Sequence, residues 1–206
     1  MLIKICGNTV PENLNAIEAL QPDFVGLIFY AKSKRYVGDQ LQTFKFSIPS
    51  VGVFVNESLE KVRVIAERHS IQHLQLHGDE SVAYCDQLKA LGYTIFKAFG
   101  IDESFDFAKL AAYEAACDYF LFDTKTTAYG GSGKTFSWEQ LKAYEGNTPF
   151  LLSGGIGLEN IEDALKFSHS QLAGFDLNSR LETSPGIKDT NKTKQIIEII
   201  RNHGRN

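Results

Sequence analysis

No stretch of the sequence approaches the ~18 consecutive apolar residues of a membrane span, so no transmembrane segment is expected. Cysteine is scarce. Cys6, Cys85 and Cys117 are odd in number and far apart, which fits neither a disulfide framework nor a zinc cluster. A basic excess is missing as well: 21 Lys and Arg stand against 25 Asp and Glu, a net charge of −4. Nothing in that balance points to nucleic acid, and no like-charge block suggests a tail. No Pro/Gly/Ser-rich linker or shift in composition marks a boundary, so residues 1–206 are expected to form one domain. The opening MLIKICGN turns polar too early for a signal peptide. What remains is ordinary globular composition, 43% hydrophobic, 12% aromatic and 22% charged. The expectation is a soluble protein of a reducing compartment, most simply the cytoplasm.

Short apolar runs alternate with longer amphipathic stretches. Strands are expected at 2–6, 24–29, 51–55, 73–77, 94–99, 119–123, 149–153 and 172–177. Helix-like segments follow each of them: PENLNAIEAL, DQLQTFKF, SLEKVRVIAERH, ESVAYCDQLKAL, SFDFAKLAAYEAA, SWEQLKAY, LENIEDALKF and DTNKTKQIIEIIRN. Asp39, Ser58, Ser137 and Asp189 occupy N-cap positions. Strands separated by helical crossovers run parallel. Eight such units in 206 residues predict a (β/α)8 TIM barrel of near-minimal length, with an open doubly wound sheet as the rival. Residues 202–206 are expected to fray.

Active sites of such barrels lie at the carboxyl ends of the strands. Cys6, Arg35, Asn56, His77, Asp123, the Ser153-Gly154-Gly155 run and the stretch from Asp176 to Ser179 all fall there. Glycines at 154 and 155 let backbone N–H groups approach an anion, aided by a helix starting near Leu158. With Asp176, Asn178 and Ser179 they predict a phosphate site. A carboxylate ending the run YFLF, Asp123, either faces the mouth or meets a large burial penalty. If Cys6 also points inward, the site holds a thiol and a carboxylate, candidates for a base and an acid. Free cysteines are more often inert core residues, and that reading stands beside it.

Alternation places Lys4 on the same face as Cys6, where it needs a partner: Asp176, Asp123 or solvent in the mouth. His73 and His77 share a strand face, but no acidic or thiol ligand lies near them in sequence, and no metal is expected. Segment 128–135, AYGGSGKT, misses the P-loop pattern at Ala128 and lacks the strand that should run into it. A glycine-hinged lid over 124–136 explains it better.

KICG at 4–7, GLIFYAKSKRYV at 26–37, VGVFVN at 51–56, QLHGDE at 75–80, FDTKTTAYGGSGKTFSW at 122–138, LSGGIGLEN at 152–160 and DLNSRLETSPGIKD at 176–189 resemble the phosphoribosylanthranilate isomerase family. The resemblance implies an Amadori rearrangement of N-(5-phosphoribosyl)anthranilate in tryptophan biosynthesis. It implies that Cys6 is the general base and Asp123 the general acid. Arg35 would hold the anthranilate carboxylate, Gly154, Gly155 and the backbone of the DLNS segment the phosphate, and His77 would border the sugar. An acid and a base suffice for this chemistry, so no cofactor is expected. The partner is a small phosphorylated substrate, with no nucleic acid and no membrane, and the chain works as a monomer or a homodimer. For this chemistry the thiol, near 8.5 when unperturbed, should be lowered by its surroundings. Two departures from the family pattern stand out. Asn8 replaces an aliphatic residue. Arg180 replaces a glycine, so that loop should turn differently or lend a cation to the phosphate site. The enzymatic rivals are another phosphosugar barrel, such as an epimerase or an indole-glycerol-phosphate synthase. The non-enzymatic rival is a phosphate-binding scaffold.

Overall fold

The computed structural model of the chain describes residues 1–38, 46–124 and 138–203. Eight strands form its centre: β1 Leu2–Ile5, β2 Phe24–Ile28, β3 Ser50–Phe54, β4 His73–Leu76, β5 Thr94–Ile101, β6 Tyr119–Thr124, β7 Phe150–Ser153 and β8 Leu172–Leu177. They pair in sequence order, all parallel, and β8 returns to β1 with Lys4 beside Asp176. The sheet is a closed barrel, which settles the choice against the open sheet. The strand positions expected from the apolar runs differ from the observed ends by at most two residues.

Side chains alternate across each strand, so every second residue points into the barrel. At the amino-terminal ends this interior is filled with rings. Phe24 meets His73 and Phe96 edge-on at 5.3 and 5.6 Å, and Tyr119 stacks on Phe96 at 4.7 Å. Val51 and Leu151 complete this floor with Phe96. His73 therefore belongs to the floor, whereas His77, on the same face of the chain, reaches the opposite end.

Outside the barrel lie α1 Pro11–Glu18, α2 Leu59–Arg68, α3 Val82–Ala90, α4 Ile161–Lys166 and α5 Thr190–Asn202. Ser58 caps α2 by accepting the Lys61 N–H at 3.3 Å, and Asp189 caps α5 by accepting those of Asn191 and Lys192 at 3.0 Å. Ile196, Ile197 and Ile200 then bury one face of α5. Asn202 closes that helix; of the residues expected to fray, 204–206 lie outside the described residues. So do Asp39, Ser137 and the expected helix over 39–46, apart from Phe46.

The segments after β5 and β6 are 3-10 helices, Phe107–Tyr113 and Trp138–Ala143, rather than α-helices. Their apolar residues explain this. Phe107, Leu110 and Tyr113, and likewise Trp138, Leu141 and Tyr144, recur at a spacing of three. A 3-10 helix has 3.0 residues per turn, so that spacing stacks all three side chains against the barrel. Leu110 and Leu141 are buried in consequence.

One element was not expected from sequence. After β8, a 3-10 turn at Ser179–Leu181 leads into an antiparallel hairpin, β9 Glu182–Ser184 with β10 Ile187–Lys188. Asn13 fastens it to α1, accepting the Lys188 N–H at 2.7 Å and donating to the Lys188 carbonyl at 2.8 Å. No helix among the described residues is long and apolar enough to cross a membrane.

Candidate active site

A pocket of about 210 Å³ opens at the carboxyl ends of the strands, with Cys6 and Asp123 both in its lining. Cys6 follows β1 directly, its N–H bonded to the Leu177 carbonyl at 2.8 Å. Gly26 makes room for it. A Cβ on that residue would lie 2.6 Å from the Cys6 Sγ, so any side chain there displaces the sulfur. Gly7, at φ +75°, then turns the chain between Arg35 and Asn178.

Beneath the sulfur, Lys4 is fully buried, and its Nζ donates to Asp176 Oδ1 at 2.8 Å. Of the three partners open to it from sequence, the structure gives Asp176, and the register of β1 against β8 is the reason. Burial lowers the Lys4 pKa, but the charges and hydrogen bonds of Asp176 and Cys6 outweigh it and hold the ammonium above its ordinary value. The thiol runs against expectation. Burial pushes Cys6 above its ordinary value, and the nearby Lys4 and Lys188 only partly offset this. Desolvation wins because Cys6 is 4% exposed, and the nearby carboxylate of Asp176 adds to the rise.

Across the pocket, Asp123 Oδ2 lies 3.4 Å from Nε2 of His77. The other ring nitrogen, Nδ1, is 2.7 Å from Nε2 of Gln75. With Gln75 donating, Nδ1 is the acceptor and the ring proton resides on Nε2, facing Asp123. Gln75 is buried and lines the pocket, and among the described residues its Oε1 has no hydrogen-bond partner.

Ser153, Gly154 and Gly155 line the pocket from β7, and Asp176, Asn178 and Ser179 from β8. Gly154 and Gly155 have φ of +100° and +65°. The helix after them begins later than expected, at Ile161 rather than near Leu158, because Asn160 holds an intervening turn. Its Oδ1 accepts the Gly157 N–H at 2.9 Å, and its Nδ2 donates to the Gly155 carbonyl at 3.0 Å. Arg180 lies in the 3-10 turn, where its guanidinium pairs with Glu159 at 3.2 Å instead of entering the pocket lining. Asn8, the other departure, is buried and donates its Nδ2 to the Ile5 carbonyl at 2.8 Å.

Arg35 stands outside the pocket lining. Its Nε and Nη2 grip Glu182, at 2.8 and 3.0 Å from Nε and 2.5 Å from Nη2. The same carboxylate accepts from Lys188 Nζ at 2.7 Å and from the Gly186 N–H at 3.1 Å. Burial alone would raise the Glu182 pKa; the bonds from Arg35 and Lys188 prevail and hold it at about 2. The glycine-rich stretch 128–135 and the lid expected over 124–136 fall, Thr124 apart, outside the described residues.

The family model for N-(5'-phosphoribosyl)anthranilate isomerase matches residues 3–199. The chain belongs to that family. A phosphoribosylanthranilate isomerase of Phocaeicola vulgatus is 47% identical over 98% of both chains. The isomerase structure from Thermotoga maritima superposes with a TM-score of 0.85 at 33% identity, covering 98% of each chain. An isomerase solved with reduced 1-(o-carboxyphenylamino)-1-deoxyribulose 5-phosphate superposes at 0.82, with 29% identity over 96% of this chain and 97% of that one. Of the residues singled out for this isomerase fold from sequence, Cys6, His77, Asp123, Gly154, Gly155, Asp176, Asn178 and Ser179 converge on one pocket, and Arg35 does not. Sequence reading missed Gln75, Glu182 and Lys188. For Gln75 the signal was present, a polar residue two before His77 on an inward strand face.

Proposed function

We propose that this chain catalyses the Amadori rearrangement of N-(5-phosphoribosyl)anthranilate to 1-(2-carboxyphenylamino)-1-deoxyribulose 5-phosphate in tryptophan biosynthesis. The observation that carries the reading is that Cys6 and Asp123, from β1 and β6, line one pocket in a member of this isomerase family. Asp123 protonates the furanose ring oxygen, and the C1–O bond breaks to give an open-chain Schiff base. Cys6, as thiolate, removes the C2 proton, and the electron pair moves to the imine nitrogen as an enolamine. Tautomerisation to the ketone completes the isomerisation. A proton is delivered and a proton removed, so the balance needs neither oxidant nor metal.

Loop N–H groups at Gly154 and Gly155, with Asn178 and Ser179, receive the phosphate, and Arg35 receives the anthranilate carboxylate. His77 borders the sugar, and Asp176 acts through Lys4 beneath the thiol. The protein's net charge of −4 makes this attraction local rather than global. The reading extends to a cytoplasmic enzyme that takes a small phosphorylated substrate and needs neither nucleic acid nor membrane, as a monomer or a homodimer. Complementation of a tryptophan auxotroph lacking this isomerase is the decisive test. Growth supports the proposal, and failure of a well-expressed, folded protein to restore it overturns it.

A further inference from the structure

We propose that Glu182 is a positioning residue that couples the two anion-binding ends of the site, Arg35 at one and Asn178 at the other. The inference rests on the roles proposed above for those two residues. Glu182 begins the hairpin β9–β10, and its side chain is 5% exposed. Its carboxylate takes the Nε–Nη2 edge of Arg35, which fixes the direction of the guanidinium's remaining edge. On its other side it takes Lys188 Nζ, which also donates to Asn178 Oδ1 at 2.7 Å. Asn178 is thereby held against Gly7, whose missing side chain leaves room for Asn178 and the Arg35 stem alike.

The charges favour this role. Two cations, Arg35 and the fully buried Lys188, share one anion, leaving a positive excess beside a pocket assigned to a substrate with two anionic groups. A carboxylate whose only role was neutralisation would need one partner. Glu182 instead spans the loop after β2 and the loop after β8, which are distant in sequence, and the Gly186 N–H fixes it in place. Moving it releases both ends at once.

The test separates the two ends with two probes. Inorganic phosphate, titrated calorimetrically, reports on the Asn178 end. The dephosphorylated form of reduced 1-(o-carboxyphenylamino)-1-deoxyribulose 5-phosphate reports on the Arg35 end. Lys188→Met should weaken phosphate about tenfold and leave the dephosphorylated probe unchanged, and Arg35→Ala should do the reverse. Glu182→Gln should weaken both by about that factor. Should that variant not fold, Glu182→Asp, with its charge kept and its reach shortened, is expected to show the same double loss. Wild-type affinity for either probe in a folded Glu182 variant overturns the coupling and leaves the proposed activity standing. Failure of the wild-type protein to bind phosphate overturns the assignment of that loop and this inference with it.

Discussion

Gln75 Nε2 lies 2.7 Å from Nδ1 of His77, and this one contact determines which nitrogen the ring presents to Asp123. Because Gln75 donates, His77 carries its proton on the nitrogen 3.4 Å from Asp123 Oδ2. Contacts of this length in ligand-free sites often tighten to hydrogen bonds around substrate. Gln75→Leu should therefore let the imidazole change tautomer and lower kcat with little change in KM. Nitrogen-15 shifts of the His77 ring provide the check, and an unaltered tautomer in the variant would refute this role.

Removing either proposed proton carrier should be far more damaging. Cys6→Ser and Asp123→Asn are each expected to lower kcat by about 10²–10⁴-fold, the usual contribution of a positioned acid or base. A fluorescence assay of substrate consumption measures this, alongside a binding titration showing that substrate is still taken up. Arg35→Ala should chiefly raise KM, since the carboxylate contact proposed for it would be made in ground and transition states alike.

The buried thiol dictates a pH dependence. Its pKa lies above the ordinary value, and the thiolate is the form proposed to act, so the thiolate fraction increases as pH rises. From about pH 6 to 8, alkylation of Cys6 by iodoacetamide, which reads the thiolate alone, should accelerate nearly tenfold per unit, with no plateau near neutrality. A rate that levels off within that range would show that the thiol ionises lower than its burial dictates.

Stability should follow a different group at low pH. The Glu182 pKa is depressed from 4.5 to about 2, so its contribution is fully present above 4.5 and disappears as pH falls toward 2. The difference in Tm between wild-type protein and Glu182→Gln should shrink over that window. A difference that stays constant down to pH 2 would contradict the depressed value.

Lys4 and Asp176 form a buried pair, so breaking it from one side leaves a charge without a partner. Lys4→Met should lower stability by about 3–5 kcal/mol, measured by denaturant unfolding. Lys4→Met with Asp176→Leu should recover much of that loss. A single variant as stable as wild type would mean that water reaches the carboxylate.

The barrel was legible because each strand is a short apolar run, and closure followed from fitting eight units into 206 residues. Asp123 was legible because a carboxylate ending such a run must face the mouth or be buried, whereas Cys6 by position alone reads as a core cysteine and was singled out by the family resemblance. The 3-10 helices were misread because Phe107, Leu110 and Tyr113 at intervals of three also satisfy a loose helical pattern. Glu182 and Lys188 were illegible for a stronger reason. In LETSPGIKD they look like charges of a solvated turn, and only pairing across the fold, with Arg35 147 positions away, shows them to be interior. Lys97 on β5 and Glu80, another buried pair at 3.2 Å, escaped notice because they too meet only across the fold.

Among the described residues, the rings of Phe24, His73, Phe96 and Tyr119 close the barrel at its amino-terminal end, so the doorway is the mouth at the other. Nothing passes straight through the barrel, so what is made must leave by the entrance through which its precursor arrived. Each turnover then requires the threshold to be vacated before the next guest is admitted, and accumulating product competes directly with incoming substrate.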